Sequence, residues 1–163
     1  MRMSEGVEWT VHCCTILAMV PEGHCLSGAR LAEYHAVAAP YLAKHLQSLT
    51  RAGILESVSG PRGGYRLSRP AAEITMLEVV EAIDGPEPAF TCTEIRRRGP
   101  AGGLPASAYP NPCGVHAVMI RADEAWRREI AATTIADLAV AAAASATPEA
   151  AVRAVTWFQE AMR

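Results

Sequence analysis

No stretch of this 163-residue chain reaches the roughly 18 consecutive apolar residues that a membrane-spanning helix needs. Its start, Met1-Arg2-Met3-Ser4-Glu5, lacks the layout of a secretory signal, so a cytoplasmic location away from membranes is expected. There is no internal repeat, nucleophile triad, phosphate-binding loop or substrate-binding motif, which argues against an enzyme. Five cysteines are an odd number in a chain without an export signal. Disulfide stapling is therefore not expected, and metal or redox use is. Strong net charge is absent too, at −2.

Half of the residues are apolar and 20% are charged, the profile of a globular protein long enough to bury a core. The small net charge hides an uneven distribution. Residues 28–70 carry Arg30, Lys44, Arg51, Arg62, Arg66 and Arg69 against only Glu33 and Glu56, while the segments on either side are acidic. A local basic face on a mildly acidic protein suffices for phosphate contacts.

That basic face coincides with a pattern. Glu5 to Val20 reads as a first helix, with Val7, Val11, Cys14 and Ala18 on one stripe. Ser27 can cap a second helix running to about His35. A third helix follows a short turn, with Pro40 in its first turn and Leu42, Leu46 and Leu49 on its apolar side, and Gly53 ends it. Ile54–Val58 and Tyr65–Leu67 then pair as a hairpin across Gly60-Pro61-Arg62-Gly63-Gly64, with Gly63 and Gly64 expected to supply positive φ angles. Thr75 and Glu78 have capping-box spacing and open a fourth helix. Residues 91–113 are irregular and hold Arg96, Arg97 and Arg98 in a row. A long helix resumes at Gly114 with Val115, Val118, Met119, Ala122 and Trp126 as its stripe. Thr134 begins a short helix, the alanine-rich 139–146 segment leads on, and Thr147-Pro148-Glu149 starts a last helix with Val152, Val155, Phe158 and Met162 on one side.

A basic helix followed by a glycine-rich hairpin with arginine at its tip is the layout of a winged helix-turn-helix, in which the helix enters the major groove of DNA. The base-reading candidates are Tyr41, Lys44, His45, Gln47 and Ser48, with Arg51 and Tyr65 flanking them. Arg62 is placed to enter a narrow, electronegative minor groove. The expected fold is mainly α with a small β wing, and the expected partner is a double-stranded DNA operator.

The chain resembles the winged-helix iron–sulfur regulators of the IscR, NsrR and RsrR type. Tyr41-Leu42, Leu46, Leu49, Arg51-Ala52-Gly53, Gly60-Pro61-Arg62-Gly63-Gly64-Tyr65 and Arg69-Pro70 carry the resemblance. So do Glu73-Ile74-Thr75, Val79-Val80-Glu81-Ala82-Ile83-Asp84-Gly85 and Thr134-Ile135-Ala136-Asp137-Leu138, and the likeness spans about residues 1–140. It implies a homodimer formed through the long helix, with an iron–sulfur cluster beside that helix controlling transcription. The expected divisions are a DNA-binding domain over residues 1–85, a cluster-binding loop over 86–113, and a dimerisation helix with C-terminal helices over 114–163.

A cluster needs four protein ligands. The family commonly has three cysteines in the loop, whereas this loop has Cys92 and Cys113, with Arg98 near the usual middle position. Glu8 and His12, four apart, project from one helix face and can supply the other two ligands. The run Gly6-Val7-Glu8-Trp9-Thr10-Val11-His12-Cys13-Cys14 is most similar to the RsrR branch, which implies a 2Fe–2S cluster held by Cys92 and Cys113 of one subunit and Glu8 and His12 of the other. His116, three residues past Cys113, is the alternative histidine. Cys13 and Cys14 are expected to be core residues and Cys25 a spare thiol. Trp9, between the proposed ligands, is expected to pack in the dimer core or, more pointedly, to move with the redox state. The implied function is a regulator, in all expectation a repressor, whose DNA affinity follows the redox state of the cluster. The alternatives are a nitric-oxide or cluster-availability sensor that loses its cluster, and a cluster-free thiol regulator.

Overall fold

The computed structural model describes residues 3–162, which form seven α-helices and one two-stranded antiparallel sheet. The first helix, α1 (Glu5–Leu17), stops short of the expected Val20. Met19 and Val20 donate to the carbonyls of Ile16 and Leu17, bonds of i to i−3 type that tighten the chain before Pro21. At its other end, α1 is anchored by Ser4, whose N–H and hydroxyl both donate to the Asp84 carboxylate, at 3.0 and 2.5 Å. α2 (Gly28–Tyr34) begins as expected, with the Ser27 hydroxyl accepting from the Arg30 N–H. α3 (Ala39–Arg51) carries Pro40 in its first turn and buries Leu42, Leu46 and Leu49 completely. Gly53, at φ +72°, turns the chain out of α3 in the left-handed conformation that a helix terminator needs.

The wing follows. β1 (Leu55–Val58) and β2 (Gly64–Leu67) pair with Leu55 opposite Leu67 and Val58 opposite Gly64. Leu26 adds a short third rung by exchanging two backbone hydrogen bonds with Tyr65, at 2.8 and 3.1 Å. The glycine expectation needs correcting: Gly60 and Gly64 take positive φ, and Gly63 does not. Gly63 is required for space instead, because a Cβ there would collide with the Val58 carbonyl.

α4 (Met76–Asp84) opens on the expected capping box, in which Thr75 and Glu78 each accept from the other's backbone N–H. α5 (Gly114–Ala131) packs back on α4 through Ile130, which joins Val7 and Val80 in a small buried cluster. Arg127 reinforces that contact by binding Glu81, Asp123 and the Pro86 carbonyl. The outer face of α5 is open, with Val115 64%, Val118 54% and Met119 38% exposed. An apolar stripe on the outside of a helix is an unpaired interface rather than a core.

α6 (Ile135–Ser145) takes in most of the alanine-rich segment, as the high helix propensity of alanine allows. Its start is fixed to the first four helices by backbone bonds from Met76 to Thr133 and from Ile135 to Ile74, and Ile135 is fully buried. α7 (Pro148–Ala161) returns across α2, bringing Trp157 to 4.7 Å from Tyr34 between ring centroids. Phe158 and Met162 pack against the main core, but Val152 and Val155 are 66% and 55% exposed. The expected four-residue stripe of α7 is thus used only at its C-terminal half, where the helix reaches the body of the fold. Among the described residues no helix is long and apolar enough to cross a membrane.

Candidate functional site

The reading surface is built on α3. With Leu42, Leu46 and Leu49 pinned in the core, helical geometry turns Tyr41, Lys44, Gln47 and Arg51 to the outside, and all four are exposed. The Lys44 ammonium lies 5.8 Å from the Tyr41 ring centroid. Ser48 is half-buried on the edge of this face. His45 is placed differently: its ring lies against Gly6 of α1, where a Cβ would clash with it, and 6.1 Å from Trp9. Tyr65 is half-buried at the root of the wing and packs against the core beside Gly28. Arg62 is exposed at the wing tip.

The structure also sorts the basic residues. Arg30 pairs with Glu33, Arg66 with Glu56 across the wing, and Arg69 with Glu78 and the Gly53 carbonyl. Among the described residues no ion pair engages Lys44, Arg51 or Arg62. Of the six cations in residues 28–70, the ones left available for phosphate are therefore those on the reading face and at the wing tip.

The five cysteines are all free and fall into three settings. Cys13 and Cys14 are fully buried in the core between α1 and its neighbours, as expected. Burial pushes the Cys13 thiol up to about 12 and raises that of Cys14 as well. Cys25 is half-buried under the wing, with its thiol donating to the Arg62 carbonyl at 3.0 Å. Cys92 and Cys113, from opposite ends of the irregular loop, come together.

Cys113 is the N-cap of α5, beside the backbone N–H groups of the helix's first turn, though its side chain makes no full capping hydrogen bond. The nearby N–H groups of His116 and then Val115 hold its thiol below the ordinary value, helped by the Arg96 charge and by Cys92. The Cys92 sulfur accepts from the Glu94 N–H at 3.4 Å, and Glu94 takes a left-handed backbone at φ +49° to make this possible. The loop between them, expected to be irregular, is organised into short turns at Ile95–Arg97, Gly99–Ala101 and Ala106–Ala108.

The other proposed ligands lie apart from this pair. Glu8 and His12 are exposed on α1 and line one open cleft of about 560 Å³ with Met3, Val7, Val11 and Met76. His12 also faces His35, at 5.6 Å between ring centroids. The His35 pKa is lowered, first by burial and then by the neighbouring His12, and its Nε2 is buried without a hydrogen-bond partner. His116 stacks near Phe90 and likewise has a buried, unpartnered Nδ1. Among the described residues of one chain, no three His, Cys, Asp or Glu side chains gather as a metal-holding group, so neither His116 nor Glu94 completes the thiol pair. Two soft thiol donors at a helix N-terminus fit one side of an iron–sulfur cluster, which takes four protein ligands in all. Trp9, between Glu8 and His12, turns onto α3 of its own chain, with its ring 6.2 Å from that of Tyr41 and edge-on to it.

Reasoning on sequence missed Arg96, Tyr109 and His35. The arginine triplet was a visible signal for the first; only the folded loop singles out Tyr109, and only the turn after α2 singles out His35.

A winged helix with an open third-helix face, followed by a long helix with an open apolar stripe, is the architecture of DNA-binding transcription regulators. Comparison with known proteins agrees. The model of the Rrf2 family, iron-dependent transcriptional regulators, matches residues 3–141, and the chain belongs to that family. It is 36% identical over 139 residues to protein aau3 of Rhizobium meliloti (strain 1021), covering 85% of this chain and 84% of that one. Several other curated relatives match over only about half of their length; the chain spans 54% of the HTH-type regulator YwgB of Bacillus subtilis (strain 168), at 33% identity over 85 residues. In fold it is similar to IscR of T. potens, with a TM-score of 0.68 at 20% identity over 90% of this chain and 93% of that one. It is equally similar to CymR, the global cysteine regulator of B. subtilis, with a TM-score of 0.67 at 21% identity over 86% and 97%.

Proposed function

We propose that this protein is a homodimeric transcription regulator whose DNA affinity is set by the redox state of a 2Fe–2S cluster. Cys92 and Cys113 of one subunit hold one side of the cluster, and Glu8 and His12 of the other hold the second. The observation that carries this reading is the meeting of Cys92 and Cys113 at the N-terminus of α5, where neighbouring backbone N–H groups and the Arg96 charge hold the Cys113 thiol below its ordinary value. The exposed stripe of Val115, Val118 and Met119 beside them supports dimerisation at that helix. The reading requires that dimerisation bring a second α1 to the pair, because among the described residues of one chain no further ligands gather there.

When bound, the cluster supplies one-electron redox chemistry. The protein's own part is to transmit. Glu8 and His12 ride on α1, and Trp9 between them bears on Tyr41 and His45 of α3. A displacement of α1 therefore reaches the reading helix through ring contacts, and the two reading helices of a dimer change spacing together. The test is DNA binding by oxidised, reduced and iron-free protein at one ionic strength. Equal affinity of the oxidised and reduced forms, with loss only in the iron-free form, would leave a sensor of cluster presence rather than of redox state.

One observation favours a second reading, a cluster-free thiol regulator. The Cys25 thiol donates to the wing-tip carbonyl of Arg62, so a peroxide or disulfide oxidant that joins Cys25 to a second thiol, with loss of its S–H proton, would remove that bond and release the tip. Cys25→Ser discriminates: it keeps the redox response if Cys92 and Cys113 carry it and abolishes it if Cys25 does.

A further inference from the structure

Three arginines in a row, Arg96, Arg97 and Arg98, have no part in the DNA-binding face, and only one of them turns inward. Among the described residues, Arg97 reaches Glu94 at 3.6 Å and lies 5.7 Å from the Tyr109 ring centroid, from an exposed position and without a bond to the Cys113 arm. Among the same residues Arg98 touches only the Thr93 carbonyl, at 3.4 Å, also from the surface. Arg96 makes a full set of contacts across the loop. Its Nε donates to the Glu94 carboxylate at 2.8 Å, and its Nη2 donates to the Asn111 carbonyl at 2.7 Å. Its guanidinium lies 5.0 Å from the Tyr109 ring centroid, and the Tyr109 hydroxyl donates back to the Arg96 carbonyl at 3.0 Å.

These contacts join two arms of chain that are far apart in sequence. On one arm, Glu94 is bonded to Cys92 through both its N–H and its carboxylate, at 3.4 and 3.9 Å. On the other, Asn111 lies two residues before Cys113. A planar fork with several donors can hold both arms at once, which the single ammonium of a lysine cannot do.

We propose that Arg96 is the positioning residue of the thiol site: it clamps the Cys92 arm to the Cys113 arm and sets a fixed positive charge beside the two sulfurs. This rests on the cluster reading above for its redox consequence but not for its geometry. As a clamp, Arg96 determines whether the loop presents two thiols at one point. As a cation, it favours the more negative, reduced form of any cluster held there and raises its reduction potential.

The experiment compares wild type with Arg96→Ala, Arg96→Lys and the control Arg98→Ala, all as full-length chains. In reduced, iron-free protein, dibromobimane reports thiol proximity, because it fluoresces strongly only after bridging two nearby sulfurs. Cys92→Ser sets the background. Wild type and Arg98→Ala should give the bridge, while Arg96→Ala and Arg96→Lys should lose most of it, several-fold. In iron-loaded protein, spectroelectrochemistry should place the midpoint potential of Arg96→Ala below wild type and that of Arg96→Lys nearer to it, since lysine keeps the charge without the fork. Bridging in Arg96→Ala equal to wild type would overturn the clamp. An unchanged potential in Arg96→Ala would overturn the charge effect. If wild type took up no iron, the cluster reading would fall, and the bridging comparison would still decide the clamp.

Discussion

Reacting the reduced, iron-free protein with iodoacetamide should divide its cysteines by more than an order of magnitude. Cys13 has a thiol near 12, three pH units above the ordinary 9.0, so at a given pH its thiolate population is about a thousandfold smaller than that of an ordinary thiol. A more basic thiolate is a better nucleophile, which returns roughly 15- to 30-fold. Ionisation alone thus leaves Cys13 about 30- to 60-fold slower. Its complete burial adds the need for the core to open before reagent can enter. Cys113 moves the other way: backbone N–H groups and Arg96 stabilise its thiolate, so its rate should rise with pH around a midpoint below 9.0. Brief anaerobic labelling across a pH series, read by peptide mass spectrometry, gives each rate. Labelling of Cys13 or Cys14 as fast as Cys113 in folded protein would refute this assignment of core and reactive thiols.

Other perturbations have defined outcomes. Leu46→Ala removes a fully buried leucine from the inner side of the reading helix and should cost about 2–5 kcal/mol in denaturant unfolding. Arg62→Ala should weaken binding to specific and non-specific DNA alike and reduce the slope of log affinity against log salt by about 0.9. Thr75→Ala removes one half of the α4 capping box, where the threonine hydroxyl accepts from the Glu78 N–H at 3.2 Å, and should lower stability by about 1 kcal/mol. Gly6→Ala should displace His45 and the adjacent Trp9, lowering DNA affinity even though residue 6 lies on α1, as fluorescence titration of an operator would report.

Much of the DNA-reading half was legible because its signals are local. The Ser27 cap, Pro40, the leucines of α3, Gly53 and the Thr75–Glu78 box each act within a few residues, and each did what its type predicts. The errors share a cause: they concern contacts between segments. Gly63 has no unusual backbone of its own but faces the Val58 carbonyl across the wing. His45 has a reading-helix position by periodicity, and its half-buried contact with α1 at Gly6 could not be read from that periodicity. The stripe of α7 is periodic along its length, but only its last turns reach Tyr34 and the core. The two loop cysteines were visible as types, and their meeting was not, because it depends on Arg96 folding a 20-residue segment back on itself through Glu94 and Asn111.

The measurement that bears most directly on the central claim is the iron and sulfide content of protein purified without oxygen, taken with its absorbance spectrum. The account predicts a coloured dimer with about two irons and two sulfides per chain, reduced to background by Cys92→Ala or Cys113→Ala and lowered by Glu8→Ala. A colourless, iron-free dimer that binds its operator with full affinity would contradict it.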